Sequence, residues 1–193
     1  QGGLATTTLV YCFWLCTFRL DQRIVWLSAE PKNFSETFKM LWRMLPDWMR
    51  PRLERNYKRE KKFADTGSEI IFERPSPSCK RAATHLVIDD AAYIPDMEFN
   101  WKCYYPTLCN DGKCFILSTA ADLSKSDMSW WFYEMYKNAK KNVNYFHVFK
   151  SDYLESQQYQ DKEFSKHLRT ALGEKNWLIE VEQSFVSGED PIT

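Results

Sequence analysis

Thr84-His85-Leu86-Val87-Ile88-Asp89-Asp90-Ala91-Ala92-Tyr93-Ile94-Pro95-Asp96-Met97 is the stretch on which the fold turns. Residues 84–88 form a short apolar and β-branched run that stops abruptly at two acids. A strand that is apolar on both pleat faces needs cover from both sides, as strands do inside a parallel α/β sheet. Ligands of such sheets bind at the carboxyl ends of the strands. Asp89 and Asp90 therefore fall where chemistry is expected. Two acids in that place also suit a helix N-terminus, whose dipole they complement.

The flanking segments repeat the pattern of strand and helix. Arg23 to Ser28 is a β-rich run of the same doubly buried kind, and so is Phe115-Ile116-Leu117, which ends at Ser118-Thr119. Ser68 to Glu73 and Tyr145 to Phe149 are read as further strands. Thr6 to Cys16 is apolar almost all round, which predicts a helix buried inside a layered fold. Asn33 or Ser35 is placed to cap a helix carrying Phe34, Phe38, Leu41 and Trp42, ended by Pro46 and Pro51. Helices are also predicted over Met97–Leu108, Trp130–Lys141, Asp161–Leu172 and Glu174–Glu182, with turns at Pro75-Ser76-Pro77 and Asn110-Asp111-Gly112. Strands alternating with helices give an α/β fold, a mainly parallel sheet with helices on both faces.

The whole chain is 193 residues, 44% hydrophobic and 16% aromatic, enough for one domain's core. Its 26 basic residues balance 26 acidic ones, so net charge gives no reason to expect nucleic acid. A charged fraction of 27% excludes a disordered or collagen-like chain. No apolar run reaches the ~18 residues that span a bilayer. The six cysteines have neither CxxC spacing nor a histidine at zinc-site spacing. Cys12 and Cys16 read as core thiols of a reducing, intracellular compartment. The eight tryptophans mostly fall at core spacing, and His85, His147 and His167 share no ligand spacing. From Arg50 to Lys62 seven basic residues accompany two acids; the run reads either as a solvated edge hairpin or as a face for DNA phosphates through Arg55, Lys58 and Arg59. Gln1 is not an initiator Met, and a first element is expected before it.

Two segments suggest nucleotide chemistry. Leu86 to Asp90 resembles a Walker B strand, in which the first acid, here Asp89, serves the Mg²⁺ shell and the second, Asp90, polarises the attacking water. The opening Gln1-Gly2-Gly3-Leu4-Ala5-Thr6-Thr7-Thr8 resembles the tail of a phosphate-binding loop entering its helix. Glycine amides would approach phosphate, and the hydroxyl of Thr6 or Thr7 would reach Mg²⁺. The usual lysine is absent; Leu4 or Thr6 holds its place, depending on where the loop is anchored. A plain Gly/Thr-rich turn is the alternative.

Leu86-Val87-Ile88-Asp89-Asp90-Ala91-Ala92-Tyr93-Ile94-Pro95 is similar to the Walker B segment of the large terminase subunits of tailed phages, which usually have Glu where this chain has Asp90. Further resemblances follow in order. Tyr105 to Leu108 and Gly112 to Ala120 resemble the next helix and the strand ending in the coupling motif, here Ser118-Thr119. Trp131 to Glu134 resembles the aromatic helix start, and Leu172 to Trp177 with Glu180 to Phe185 resembles the closing segment. Leu45 to Trp48 and Ser68 to Ile70 match more loosely. The resemblance implies an ATPase domain over residues 1–186, with its first strand and the start of the phosphate loop lying before Gln1. Residues 187–193 would begin a linker to a nuclease domain.

It also implies ATP and Mg²⁺ as cofactors, bound through Gln1, Gly2, Gly3, Leu4, Ala5, Thr6 and Thr7 for nucleotide and Asp89, Thr6 and Thr7 for metal. Arg81 or Lys80 would be the arginine-finger candidate acting on a neighbouring subunit of a ring. The implied partners are double-stranded DNA, a portal protein and a small terminase subunit, in the host cytoplasm and without a membrane. A P-loop-like structural or DNA-binding module without the lysine, or a helicase-type ATPase, is the alternative function.

Overall fold

Leu9, Cys12, Phe13, Leu15 and Cys16 fall on the inward side of a 15-residue helix, α1 (Leu4–Phe18), and all five are buried. Their placement shows how the computed structural model assembles; it describes residues 3–76, 81–124, 128–188 and 190–192. The chain divides into two compact units, residues 3–117 and residues 118–193, the latter grouped with residues 1–2.

In the first unit α1 is followed by β1 (Arg23–Leu27), α2 (Pro31–Met44), β2 (Leu53–Asn56), β3 (Glu60–Phe63), β4 (Glu69–Glu73), β5 (Ala83–Ile88), α3 (Met97–Tyr104) and β6 (Leu108–Ile116). The sheet order is β2-β3-β4-β1-β5-β6. The four strands β4, β1, β5 and β6 are mutually parallel, with Ile24 opposite Ile70 on one side and His85 on the other. β2 and β3 extend the sheet antiparallel. Of the strands read as doubly apolar, β1 and β5 lie at the centre, whereas β6 is the end strand of the sheet among the described residues and its Phe115, Ile116 and the following Leu117 are only half-buried. Ile24, Trp26, Ile70, Phe72 and Val87 meet the buried side of α1 and Phe38 of α2 in one core cluster. Within it Phe13, Phe38 and Phe63 pack edge-on, with ring centroids 5.2, 5.8 and 6.1 Å apart, each pair adding about 1 kcal/mol beyond its buried area. The alternate residues Val25, Leu27, Ile71, Leu86 and Ile88 are buried as well, so both sheet faces are covered.

Several boundaries differ from the sequence expectation. Pro31 occupies the first turn of α2, where its missing N–H costs nothing, so the helix starts ahead of Asn33. Neither Asn33 nor Ser35 caps it, and Ser35 is buried within it. α3 stops at Tyr104 and gives way to a 3-10 turn over Tyr105–Thr107, because Pro106 cannot continue the ladder. Asn110-Asp111-Gly112 is an irregularity inside β6: Ala83 pairs with Leu108 but His85 with Lys113, and Asp111 absorbs the extra residues at φ +65°. A side chain at Gly112 would meet Cys109 O at 2.8 Å, so only glycine fits there.

The basic run forms the β2–β3 hairpin, and most of its charges are answered within the protein. Arg52 pairs with Asp65, Arg55 with Glu60 at 2.7 Å and Lys62 with Glu54 at 2.9 Å, while the fully buried Lys61 donates to Tyr57 O. Arg50 closes the C-terminus of α2. It donates to Trp42 O, Arg43 O and Leu45 O at 3.2, 3.2 and 2.8 Å and stacks on Trp42 at 4.8 Å. A cation on the last carbonyls of a helix is favourable. Arg50→Ala is expected to cost about 2 kcal/mol, a fall in Tm of about 4–8 °C. A fall of less than 1 °C in a thermal melt would show that this cap does not hold α2.

In the second unit α4 (Met128–Lys140), α5 (Gln157–Gln160), α6 (Lys162–Leu172) and α7 (Glu174–Glu180) precede a two-stranded hairpin, β7 (Val186–Ser187) and β8 (Asp190–Pro191). Asp161 caps α6 by accepting from the amides of Glu163 and Phe164. Ala120, Leu123, Tyr133 and Phe185 form a core, and Tyr153, Tyr159, Phe164 and Trp177 a ring cluster with centroids 5.7 to 6.4 Å apart. The strand expected over Tyr145–Phe149 is not formed. Tyr145 sits at φ +59° and is 99% exposed, and Asn144 instead donates its side-chain amide to Met135 O at 2.8 Å. Aromatic and β-branched composition favours a strand only where a neighbour offers a ladder.

The tryptophans also correct the expectation of a general core role. Trp26 and Trp177 are buried, whereas Trp14, Trp48 and Trp130 are 42%, 81% and 41% exposed.

Candidate nucleotide and metal site

β5 delivers Asp89 and Asp90 to the carboxyl edge of the parallel sheet. Asp89 N–H donates to Leu27 O at 2.9 Å, so its backbone still belongs to the β1–β5 ladder. Strand alternation from Val87 places the Asp89 side chain on the face covered by α1. Asp90 then turns the chain in the left-handed region, at φ 54° and ψ 41°, a conformation that Asp adopts more readily than most residues. Tyr93 N–H closes the turn on Asp90 O at 2.8 Å, and Ala91 N–H fastens it to Leu117 O at 3.0 Å. Leu117 N–H in turn donates to Ile88 O at 2.8 Å. The acid corner is thus braced by the ends of β1, β5 and β6.

The electrostatics are unusual for two acids. Asp89 is 4% exposed, and burial, then the neighbouring Asp90 charge, push its carboxyl up to about 7; a hydrogen bond from the Asp90 backbone partly opposes them. Asp90 is exposed as a residue, and partial burial of its carboxyl raises it above the ordinary carboxylate range. Among the described residues no lysine or arginine forms an ion pair with either. Among them, too, no cluster of three potential metal ligands occurs. One or two carboxylates short of a cation are the donor set that Mg²⁺ uses when phosphates and waters complete its shell, so the pair fits that ion.

α1 supplies the other half of the arrangement. It feeds β1 through a short turn and packs on the sheet, so it runs antiparallel to the strands and its N-terminus lies at their carboxyl edge. Gly3 opens the helix at φ +64° without a side-chain cap, and Thr7 N–H is the first amide bonded, to Gly3 O at 2.9 Å. The amides of Leu4, Ala5 and Thr6 precede that first bond and, with the helix dipole, favour an anion. Thr6 and Thr7 are exposed there. Gly3, Leu4, Ala5, Thr6, Thr7 and Asp89 therefore share one edge and one face of the first unit, and Asp90 follows at the same edge. Gln1, Gly2 and Lys80 lie outside the described residues.

Other expected residues fall elsewhere. Arg81 is exposed just before β5, at the opposite edge, about 20 Å of strand from Asp89. Lys58 and Arg59 are exposed at the tip of the β2–β3 hairpin, beside the paired Arg55. Ser118 and Thr119 are half-buried at the start of the second unit, directly after Leu117 in the chain. Two clefts of about 190 and 260 Å³ are lined by Cys16, Trp48, Phe63 and Thr66 and by Asp21, Arg23, Glu69 and Thr84; neither includes Asp89 or Asp90.

Asn100 gave no spacing signal. It is 5% exposed and donates to Pro95 O and Asp96 O at 3.2 and 3.1 Å, pinning a second left-handed aspartate, Asp96, just past the acid corner.

No protein-family model and no curated protein matches the chain by sequence. Solved structures do match it by shape. The large terminase of a thermophilic bacteriophage in complex with ADP superposes with a TM-score of 0.63 at 12% identity, over 93% of this chain and 44% of that one. The same terminase in complex with ATP-γ-S gives 0.64 at 12% identity, over 93% and 43%. A variant of the large terminase ATPase domain of Thermus phage P74-26 gives 0.65 at 18% identity, over 96% and 86%. The chain thus spans less than half the length of the first two and most of the third. What they share with it is the fold, the P-loop NTPase-like α/β architecture of large terminase ATPase domains.

Proposed function

We propose that this chain is an ATP-hydrolysing motor domain of the large terminase kind, which drives double-stranded DNA into a procapsid. The observation that carries the reading is the corner of buried Asp89 and exposed Asp90 at the carboxyl edge of a parallel sheet, with Asp89 on the face where α1 presents its N-terminus. The nucleotide complexes of the similarly folded terminase support it.

Asp89 holds the metal shell, with a hydroxyl from Thr6 or Thr7. Bound Mg²⁺ supplies positive charge at the β- and γ-phosphate oxygens. The first-turn amides of α1, with Gly2 and Gly3, receive phosphate oxygens. Asp90 accepts a proton from the attacking water and orients it in line with the γ-phosphate. Partial burial of its carboxyl raises the basicity of Asp90, which suits that task. Ser118 and Thr119 relay loss of the γ-phosphate, and Arg81 reaches the site of a neighbouring subunit in a ring. Lys58 and Arg59 at the hairpin tip, with Arg55, meet DNA phosphates. A portal protein and a small terminase subunit complete the assembly, in the host cytoplasm.

A second reading has one observation in its favour: the first turn of α1, Leu4 to Thr8, carries no lysine to set against the β/γ-phosphates. On that reading the chain is a structural or DNA-binding module that does not turn over nucleotide. A thermal melt with and without Mg·ATP separates the two. Nucleotide at 100 times its Kd adds about 2.7 kcal/mol, a rise in Tm of about 5–10 °C. An unchanged Tm at millimolar Mg·ATP would overturn the motor reading and leave the module.

A further inference from the structure

Past β6 the chain reads Ser118-Thr119-Ala120-Ala121-Asp122-Leu123, and this segment is tied at four points to residues 175–186. Leu123 N–H donates to Val186 O at 2.9 Å and Val186 N–H to Ala121 O at 3.2 Å, which makes Asp122 and Val186 parallel bridge partners. Ala120 N–H donates to Gln183 Oε1 at 3.3 Å, and Gln183 Nε2 donates to Glu180 O at 2.9 Å. Lys175 Nζ lies 2.6 Å from Asp122 Oδ2, on a side chain only 6% exposed, while Asp122 Oδ1 accepts from the amide and hydroxyl of Ser124 at 3.0 and 2.7 Å. Phe185 fills the space between, its ring centroid 5.0 Å from that of Tyr133.

Gln183 is itself informative. It sits at φ +53°, where a residue with a long side chain is disfavoured by about 1 kcal/mol. Both polar atoms of its side chain are used, and the next amide, Ser184 N–H, is held by Leu178 O at 2.8 Å. The surroundings hold the chain in this turn, and the turn aims the amide oxygen at Ala120. Lys175 reaches Asp122 from the first turn of α7, so the ion pair and the Gln183 bond grip the segment from both ends of that helix.

We propose that Gln183 and the Asp122–Lys175 pair are positioning residues that lock residues 118–123 to β7, so that a shift of Ser118–Thr119 on loss of the γ-phosphate arrives as a displacement of Val186 and the β7–β8 hairpin. This rests on the ATPase reading above. Two backbone bonds, a charge-assisted contact and a packed ring make the two segments one body, and packed bodies shift as units. The output of the coupling step is then the hairpin.

Amide hydrogen exchange on the full chain tests this, with Mg·ADP and a non-hydrolysable Mg·ATP analogue as the two probes. The expected result is a several-fold difference in exchange at Val186 and Leu123 between the two nucleotide states. Gln183→Leu, which loses the bond to Ala120, should shrink that difference at Val186 while the nucleotide Kd is unchanged. Gln183→Glu, whose carboxylate still accepts from Ala120 N–H, should restore it. A clamp that only stabilises would lower Tm in Gln183→Leu and leave the nucleotide-dependent difference as in the wild type, which overturns the proposal. Nucleotide binding with identical Val186 exchange in both states also overturns it, on wild-type protein alone. Absence of nucleotide binding overturns the ATPase reading and this inference with it.

Discussion

On the proposed assignment, Asp90→Ala is expected to lower ATP turnover by at least about 10²-fold while Mg·ATP remains bound, because positioned proton transfer contributes about 10²–10⁴ and the metal contact is proposed for Asp89. Asp90 is the acid at the turn itself, with its backbone carbonyl and that of Leu117 holding the amides of Tyr93 and Ala91. Alanine keeps those backbone bonds and removes only the carboxylate, although the left-handed turn at φ 54° suits alanine less well. A modest fall in Tm is therefore expected beside the large fall in turnover. Asp90→Glu is the informative companion. It returns a carboxylate one methylene further out, at the cost of a bulkier side chain in the left-handed region, and should recover part of the lost rate. The two measurements are steady-state phosphate release and equilibrium nucleotide binding. Turnover in Asp90→Ala equal to that of the wild type would sink the assignment of Asp90 as the base.

The acid corner could be read from sequence because its signal is local. An apolar run that stops at two acids is both a strand and a strand end, and the parallel sheet follows from burial on both faces. The helix ahead of β1 was legible from its apolar composition, but its burial was overread: Leu9, Cys12 and Cys16 face the core while Val10, Tyr11 and Trp14 are exposed. What escaped the reading depends on distant partners. The Tyr145–Phe149 segment has strand composition, yet its neighbours offer side-chain bonds and no ladder. Arg50 looked like one cation among seven, but its guanidinium reaches back to three carbonyls at the end of α2. The basic run as a whole kept its charge and lost most of its freedom, since cross-strand acids answer it. Asn100 braces the site through backbone carbonyls, which leaves no trace in residue spacing. The shared edge of α1 and Asp89 needed both kinds of information: the residues named the groups, and the direction of α1 against β1 brought them together.

Asp89→Asn is expected to stabilise the fold at neutral pH in the absence of metal, and by an amount that depends on pH. In the folded protein burial and the charge of Asp90 push the Asp89 carboxyl up to about 7, against about 3.9 for an unfolded chain. Between those values the folded state retains a proton that the unfolded state has released. Stability therefore falls as pH rises through this window, by up to about 1.4 kcal/mol per unit and about 4 kcal/mol in all, and the full loss is present above pH 7. Asparagine has no proton to lose, so the variant and the wild type should melt alike near pH 4 and diverge by several degrees or more at pH 8. Asp90, raised in the same direction, keeps some of that slope in the variant. Saturating Mg²⁺ should flatten the wild-type profile, because the cation favours the charged carboxylate, and should leave Asp89→Asn unmoved. Parallel pH profiles for the two proteins would show that Asp89 is not held in a destabilised state. The same substitution should abolish turnover, since the group that strains the apo fold is the one proposed to hold the metal; on that assignment stability and activity are opposed at this single side chain.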